Sequence, residues 1–481
     1  MEERHSMWKD LLKQAVKTKL NCRVLAGFNA NVDVVIKLNA DMISDIIERE
    51  PQVLENAPAE PTTVWPIKTN MEFMALLQEC IKVGKSYYGV MDSSLADWFN
   101  QVFAERTEAM GGQAGIIANQ MAALGATSCV YCPVLSPKQA SHFDERVLYP
   151  KVNGKFAWIS IRRAVNDQWT KLNYIFEYAK GIKFKFGDQE IVSPRANRVI
   201  LGTRNPKAAM GFDPVIEPHL AEVGQSVDLA FMAGYHHGRI EGRAETLKEY
   251  IELSVNDLRR LRSANPKLKL HLEYVPMPNA ADEVILLKEI APLFTSFGIN
   301  ENEIRRLLDE LGHPDLVADI VKGERAFSLY QGVLQIAREL KVSRIQLHNL
   351  GYYVVVLMKP YEVDPAVVRQ ACLFASAVNG VKALQGGAIP LEDVAQMADY
   401  PLSEIGLEQL RAFVSEAKSM GLHVTDEMLD TGILEMDDHW VLVVPAHVIP
   451  NPVSTVGMGD TVSSSAYAAE VSLNAVKSCN C

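Results

Sequence analysis

A chain of 481 residues, 48% hydrophobic and 22% charged, has enough apolar material for one large domain and a smaller one. With 59 acidic against 48 basic residues its formal net charge is −11, which argues against nucleic acid or an anionic membrane as its main partner. No run approaches about 18 apolar residues, and the charged opening MEERHSMWKDLLKQAVK is unlike a signal peptide, so the expectation is a cytoplasmic protein.

In chain order the first strand is RVLAGF (23–28), which runs directly into GFNANVDVV. Residues 38–108, with prolines at 51, 58, 61 and 66, then break the pattern. After them RTEAMGGQAGIIANQMAALG reads as a glycine turn entering a helix. ATSCVYCPV follows, and its Cys129-x-x-Cys132 lies in a strand-like run with no second ligand pair nearby. It therefore reads as buried strand rather than as a redox or metal site. The seven scattered cysteines suit a reducing compartment; Cys479 and Cys481 fall in a polar terminus and are assigned nothing.

A second interruption, residues 150–205, holds short alternating runs such as KFAWISI and GIKFKFG. From there strands DLAFMAGY (228–235), LKLHLEY (268–274), RIQLH (344–348) and HWVLVVP (439–445) alternate with helices. The helices are expected over 244–263, 302–312, 324–341 and 365–384, each with apolar residues three and four apart. Strand then helix, repeated, predicts an α/β fold with a mostly parallel central sheet flanked by helices. The large domain would comprise residues 1–37, 109–149 and 206–481, and the two interruptions, 38–108 and 150–205, would form one small β-rich lid.

Open α/β sheets bind ligands beyond the carboxyl ends of their strands, so polar residues gathered there carry extra weight. Asn29, Asn31 and Asp33 suit the hydroxyls of a polyol, and Gly111, Gly112 and Gln113 allow close backbone approach. Either group is equally compatible with a capped turn. HLE ends a strand at Glu273, and INENE adds Glu301 and Glu303 at the same sheet edge. Such acids serve as helix caps, or hold a magnesium ion that keeps several waters. In NPVSTVGMGDTVSSSAY (451–467), Gly457 and Gly459 permit a tight turn at a helix start, an anion site. Asp460 within it reads either as an N-cap or as a general base that accepts a proton from a hydroxyl attacking a phosphoryl group.

These motifs, in this order, resemble the ADP-dependent sugar kinases, the glucokinases and phosphofructokinases mostly of archaea within the ribokinase-like superfamily. The resemblance runs from GFNANVD to STVGMGDTVSSSAY. It is carried by His271-x-Glu273, by Asn300-Glu301-x-Glu303, by HNLGYY at 348–353 and by Gly457-x-Gly459-Asp460. It implies a ribokinase-like large domain and transfer of the β-phosphoryl of ADP to a sugar hydroxyl, with release of AMP and use of a magnesium-like divalent ion. Carried over, Asp460 resembles the catalytic base and Gly457 with Gly459 the anion hole, while Arg198 resembles the arginine that reaches from the lid to the phosphoryl group. Glu273 and Glu303, with Asp460, resemble the residues around the metal. Asn300, His348, Asn349, Ile449 and Gly459 resemble the nucleotide side, and Asn31, Asp33, Gly112 and Gln113 the sugar contacts, with Glu72 added from the lid.

For the acceptor, family glucokinases tend to carry a histidine where LNYIFEY here has Asn173, and an acid where LGTRNP has Arg204. A lost glucose contact and a gained guanidinium favour a phosphorylated sugar, since arginine binds phosphate in a bidentate fashion. Fructose 6-phosphate therefore leads, glucose stays open through Glu72, and the partners expected are ADP and a sugar or sugar phosphate. A non-catalytic regulator on the same fold would be expected to lose the base or the metal acids, and all are present. An ATP-dependent enzyme of ribokinase type would be separated by nucleotide competition.

Overall fold

Val24, Leu25 and Ala26 are fully buried between two parallel neighbours, as expected for the middle strand of a sheet covered on both faces. The structure, a computed structural model, describes residues 2–55, 66–204, 210–237, 246–277 and 279–479. Its main sheet runs from β17 (Ile433–Glu435) and β18 (His439–Pro445) through β16 (Tyr352–Met358), β15 (Arg344–Asn349), β14 (Ser296–Asn300), β13 (Lys269–Glu273) and β12 (Leu229–Ala233). It continues through β1 (Arg23–Phe28) and β5 (Thr127–Tyr131) to β6 (Leu148–Asn153) and β7 (Lys155–Ser160). Neighbours from β6 to β15 are parallel, and the outer strands on both sides are antiparallel. Helices Gln113–Ala123, Pro365–Gln385 and Met458–Cys479 pack as one group against the sheet, while Leu247–Ser263, Ala280–Ile290 and Ala326–Leu340 belong to another.

A second sheet is ordered β3 (Tyr87–Met91), β11 (Asn197–Thr203), β8 (Leu172–Tyr178), β2 (Asn31–Lys37) and β4 (Thr107–Gly111). A hairpin of β9 (Lys183–Phe186) and β10 (Gln189–Val192) stands beside it. This sheet has its own apolar core, in which Phe73 packs at 4.6 Å from Phe176 and 4.8 Å from Phe99 between ring centroids. Helices Ala40–Arg49, Asn70–Val83 and Leu95–Val102 supply much of that core, so the smaller unit is α+β rather than simply β-rich.

The expected boundaries shift in three places. β2 and β4 carry the second sheet back to Asn31 and on to Gly111, beyond the 38–108 expected. KFAWIS, assigned to the lid, is β7 at the edge of the main sheet, where Phe156 and Trp158 pack on the main core and Trp158 Nε1 donates to Ser226 Oγ at 3.0 Å. A short alternating strand has the same period in either sheet, and only its partners decide which one it joins. The expected boundary at 205/206, Pro58, Pro61, residues 244–245 and Cys481 lie outside the described residues. Cys129 within β5 and Cys132 one residue past its end are buried free thiols, each pushed up by burial to about 12. No helix among the described residues is long and apolar enough to cross a membrane.

Candidate active site

Alternation along the second sheet sorts its side chains onto two faces. Tyr174, Phe176, Val199 and Leu201 point into the aromatic core, while Asn173 and Ile175 on β8 and Arg198 and Ile200 on β11 line a cleft. The cleft, about 580 Å³, is closed on its other side by residues that follow the carboxyl ends of main-sheet strands. Asn29 follows β1, His236 and His237 follow β12, and Val275 to Met277 follow β13, with Gly457 and Asp460 from the start of the last helix.

Asp33 is the polar centre of the second-sheet wall. Asn31 Nδ2 donates to its Oδ1 at 2.6 Å, and Asn173 bonds it as well. Burial raises its carboxyl to about 6, against the pull of those two amides and of Arg198. Opposite it, Asn29 Nδ2 donates to Gln113 Oε1 at 2.7 Å. The amide oxygens of Asn29 and Asn173, both on the cleft, are buried without a hydrogen-bond partner, which leaves acceptors for hydroxyl groups. Asn31 itself does not line the cleft; it is fully buried and holds Asp33, so its expected direct contact is replaced by a supporting one. Gly112 is the N-cap of helix Gln113–Ala123, and both Gly112 and Gln113 reach the cleft.

Helix Met458–Cys479 begins immediately after Gly457, whose φ of +65° is a conformation that suits glycine. A Cβ on Gly459 would lie 2.9 Å from His348 Nε2, so the close packing of that imidazole on the turn requires glycine. Asp460 stands in the first helical turn, and burial, then the charge of Glu273, raises it to about 8. Glu273 and Glu303 are also raised to about 8, burial being the main cause in each, and Glu303 feels Glu273, Asp460 and Glu301. The nearest relief is cationic: the charge of Lys382, buried with its Nζ donating to Gly387 O at 2.6 Å, lowers Asp460. Among the described residues no three His, Cys, Asp or Glu side chains are close enough to cage an ion directly. Three mutually repelling acids, Glu273 buried and Glu303 and Asp460 half-buried, do fit a cation held through its own water shell.

Several expected residues are placed elsewhere. Asn300 caps helix Glu301–Glu310: its Oδ1 accepts from Asn302 N and Glu303 N, both at 2.9 Å, and Glu303 Oε2 accepts from Asn300 N at 2.9 Å. Its side-chain oxygen is thus spent on the cap, whereas Glu303 combines capping with membership of the acid cluster. Glu72 does not line the cleft; its Oε2 accepts from Lys68 N and Thr69 N at 2.7 and 3.0 Å, completing a capping box with Thr69. His348, Asn349 and Ile449 also stand outside the cleft. His348 is joined to it through Gly459, is held neutral by burial with its pKa lowered to about 4, and has an unpartnered Nδ1. Asn349 Nδ2 donates to Tyr352 Oη at 2.9 Å at the end of β15, and Ile449 packs on the main core.

Arg204 follows β11, with its Nη2 donating to Tyr88 Oη and its Nη1 to Thr203 O at 2.8 Å. Tyr88 lines the cleft together with His236 and His237, whose rings lie 3.7 Å apart and both feel the Arg204 charge. Tyr88, the histidine pair, Arg306 and Lys382 are missing from the residues expected. GYHHGR follows a strand, so the carboxyl-end rule already used for its neighbours would have found the histidines. Lys382 sits in the last turn of helix Pro365–Gln385, where a basic residue reads as an ordinary partner of the helix dipole.

Residues 22–469 match the conserved region of the ADP-specific phosphofructokinase/glucokinase family. The chain is 30% identical over 458 residues to the ADP-specific phosphofructokinase of Methanosarcina acetivorans, a match covering 93% of this chain and 92% of that one. It is 26% identical over 480 residues to the ADP-dependent glucose/glucosamine kinase of Pyrococcus furiosus, covering 97% and 99% of the two chains. Among solved structures, an ADP-dependent kinase in complex with fructose-6-phosphate and ADPβS superposes with a TM-score of 0.82 at 29% identity over 98% of both chains. The last common ancestor of ADP-dependent phosphofructokinases from Methanosarcinales gives a TM-score of 0.82 at 30% identity, again over 98% of both chains. With the family model matched along nearly its whole length and full-length similarity in sequence and fold, the chain belongs to the ADP-specific phosphofructokinase/glucokinase family.

Proposed function

We propose that the protein transfers the β-phosphoryl group of ADP to fructose 6-phosphate, yielding fructose 1,6-bisphosphate and AMP. The observation that carries this reading is the cleft between the sheets, which joins a hydroxyl-binding wall around Asp33, a base on an anion-binding turn, and the neighbouring guanidinium of Arg204. In the reaction the acceptor hydroxyl passes its proton to Asp460 as its oxygen attacks the phosphorus, and the bond to AMP breaks. Backbone N–H groups of the Gly457–Gly459 turn and the helix amino end stabilise the charge on the transferring oxygens. Arg198, from the opposite wall, adds a cation to the same group. Glu273, Glu303 and Asp460 would hold a magnesium ion, which supplies charge neutralisation at the phosphates when bound.

The acceptor assignment rests on Arg204, which does not itself line the cleft but stands behind Tyr88 and beside the cleft-lining histidine pair, where it would supply a cation to a sugar phosphate. His348 and Asn349 lie on the nucleotide side of the Gly459 turn in this reading. The test is an assay of ADP with fructose 6-phosphate and, separately, with glucose, following AMP release. Turnover of fructose 6-phosphate is expected. Turnover of glucose alone would overturn the acceptor, and turnover with ATP in place of ADP would overturn the donor.

A further inference from the structure

His271, Ser296 and Arg344 stand directly beside one another on β13, β14 and β15, at one level of the sheet. The row lies under helix Met458–Cys479, whose Ser463, Tyr467 and Glu470 are four and three residues apart and so share a face. Hydrogen bonds join these groups into one line. Glu470 Oε2 accepts from Arg344 Nε at 2.8 Å, and Arg344 Nη1 donates to Ser296 Oγ at 2.9 Å. Ser296 Oγ meets His271 Nδ1 at 2.8 Å, and His271 Nε2 meets Glu273 Oε2 at 2.9 Å. Arg344 also stacks on Tyr467, 4.7 Å from the ring centroid, and its Nη2 donates to Gln346 Oε1 at 2.7 Å. A Cβ on Gly298 would come within 2.7 Å of Glu273 Oε2, 2.9 Å of Ser463 Oγ and 3.0 Å of His271 Nε2. The end of the line therefore occupies space that only glycine leaves open.

The direction of each bond follows from its donor. A guanidinium only donates, so Ser296 Oγ spends a lone pair on Arg344. The serine hydrogen then points to His271 Nδ1, 2.8 Å away, which can accept it. An imidazole that accepts at Nδ1 carries its hydrogen on Nε2 and donates it to Glu273. Oε2 is thereby engaged, and Oε1, which accepts from Ser463 Oγ at 3.3 Å, keeps capacity for a further donor. A buried ion pair such as Arg344–Glu470, with both side chains at 1% exposure or less, contributes little net stability compared with apolar packing. Its presence in mid-sheet calls for another role.

We infer that Ser296, Arg344 and Glu470 are positioning residues for Glu273, acting by locking His271 as the Nε2–H tautomer that orients the carboxylate toward the water shell of a divalent cation. The inference rests on the reading of Glu273 as a metal-organising acid, and the two are tested separately. Long-range nitrogen–proton spectra of ¹⁵N-histidine-labelled, metal-free protein, with His271 identified by its loss in His271→Gln, read the tautomer without turnover. The wild type should show Nε2–H, Ser296→Ala should lose that preference, and Ser296→Thr, which keeps the hydroxyl, should retain it. Manganese, titrated as a paramagnetic probe, should bind Ser296→Ala about 10- to 100-fold more weakly than wild type. The serine is probed because removing one partner of the buried ion pair endangers the fold. Nδ1–H in the wild type, or an unchanged tautomer in Ser296→Ala, would overturn the relay. A changed tautomer with unchanged manganese affinity would support the relay and overturn the metal role of Glu273.

Discussion

Replacing Asp460 with asparagine keeps the shape of the side chain and removes its basicity. If it takes the acceptor's proton, Asp460→Asn should lower kcat by roughly 10²-fold or more with little change in nucleotide affinity. Steady-state kinetics paired with nucleotide titration check this. Asp33 gives a pH signature. Its folded-state pKa, raised by burial to about 6, means that the carboxylate protonates as pH falls through that value and stops accepting from a sugar hydroxyl. KM for fructose 6-phosphate should therefore rise below about pH 6. The sugar phosphate also titrates near pH 6, so the comparison is with Asp33→Asn, which keeps the ligand's titration and should lose the protein's share of the slope. Arg204→Ala should raise KM for fructose 6-phosphate roughly 10- to 150-fold, the equivalent of about 1.5–3 kcal/mol for a charge-assisted contact, and leave any glucose turnover almost untouched. Equal losses with both sugars would move Arg204 to the donor side. At this scale four residues of the cleft lining were legible: Asn29 from its place after β1, Gln113 and Asp460 from helix starts that follow glycines, and Asp33 from its polar spacing with Asn29 and Asn31, although it stands inside β2.

At the scale of elements, two helix starts carry the same chemistry with different outcomes. Thr69 to Glu72 and Asn300 to Glu303 are both capping boxes, yet only Glu303 belongs to the acid cluster. Thr69→Ala and Glu72→Ala should each destabilise the protein by about 0.5–2 kcal/mol, read as a lower Tm, and should leave sugar KM unchanged. A KM change confined to Glu72→Ala would return that residue to the sugar site. The T-x-x-E spacing was visible in the sequence and is sufficient to explain Glu72 as a cap. The last helix goes the other way. Ser463, Tyr467 and Glu470 look like scattered polar residues in a largely apolar run until the sheet beneath them provides His271, Ser296 and Arg344.

For the whole molecule, the cleft has one wall on each sheet, and each sheet packs about its own apolar core. Arg198 and Arg204 reach the phosphates in the proposed reaction from the second sheet, so a closing movement would bring them in, exclude water and suppress ADP hydrolysis. Small-angle scattering should then show a smaller radius of gyration with nucleotide and sugar together than without them. An unchanged radius would mean that the cleft is already in its working form.

The sequence alone was enough for strands β1, β12, β13, β15 and β18 and for the helices among them, because hydrophobic period and caps are local properties that each segment carries with it, but it did not mark β16 (Tyr352–Met358), which follows β15 with no helix between. It was enough also to pick out the Gly457 turn and the acids Glu303 and Asp460 in first helical turns, since turn geometry demands glycine and a helix start favours acids whatever surrounds them. It could not decide which sheet KFAWIS joins, since both sheets accept the same alternation. Nor could it show that Asn31 supports Asp33 rather than meeting the cleft, or that Lys382 lies near Asp460. Those are statements about side chains brought together from distant parts of the chain. The row from Glu470 to Glu273 is of the same kind: its register is set by three parallel strands and one helix packing at a single level, and no one segment encodes it.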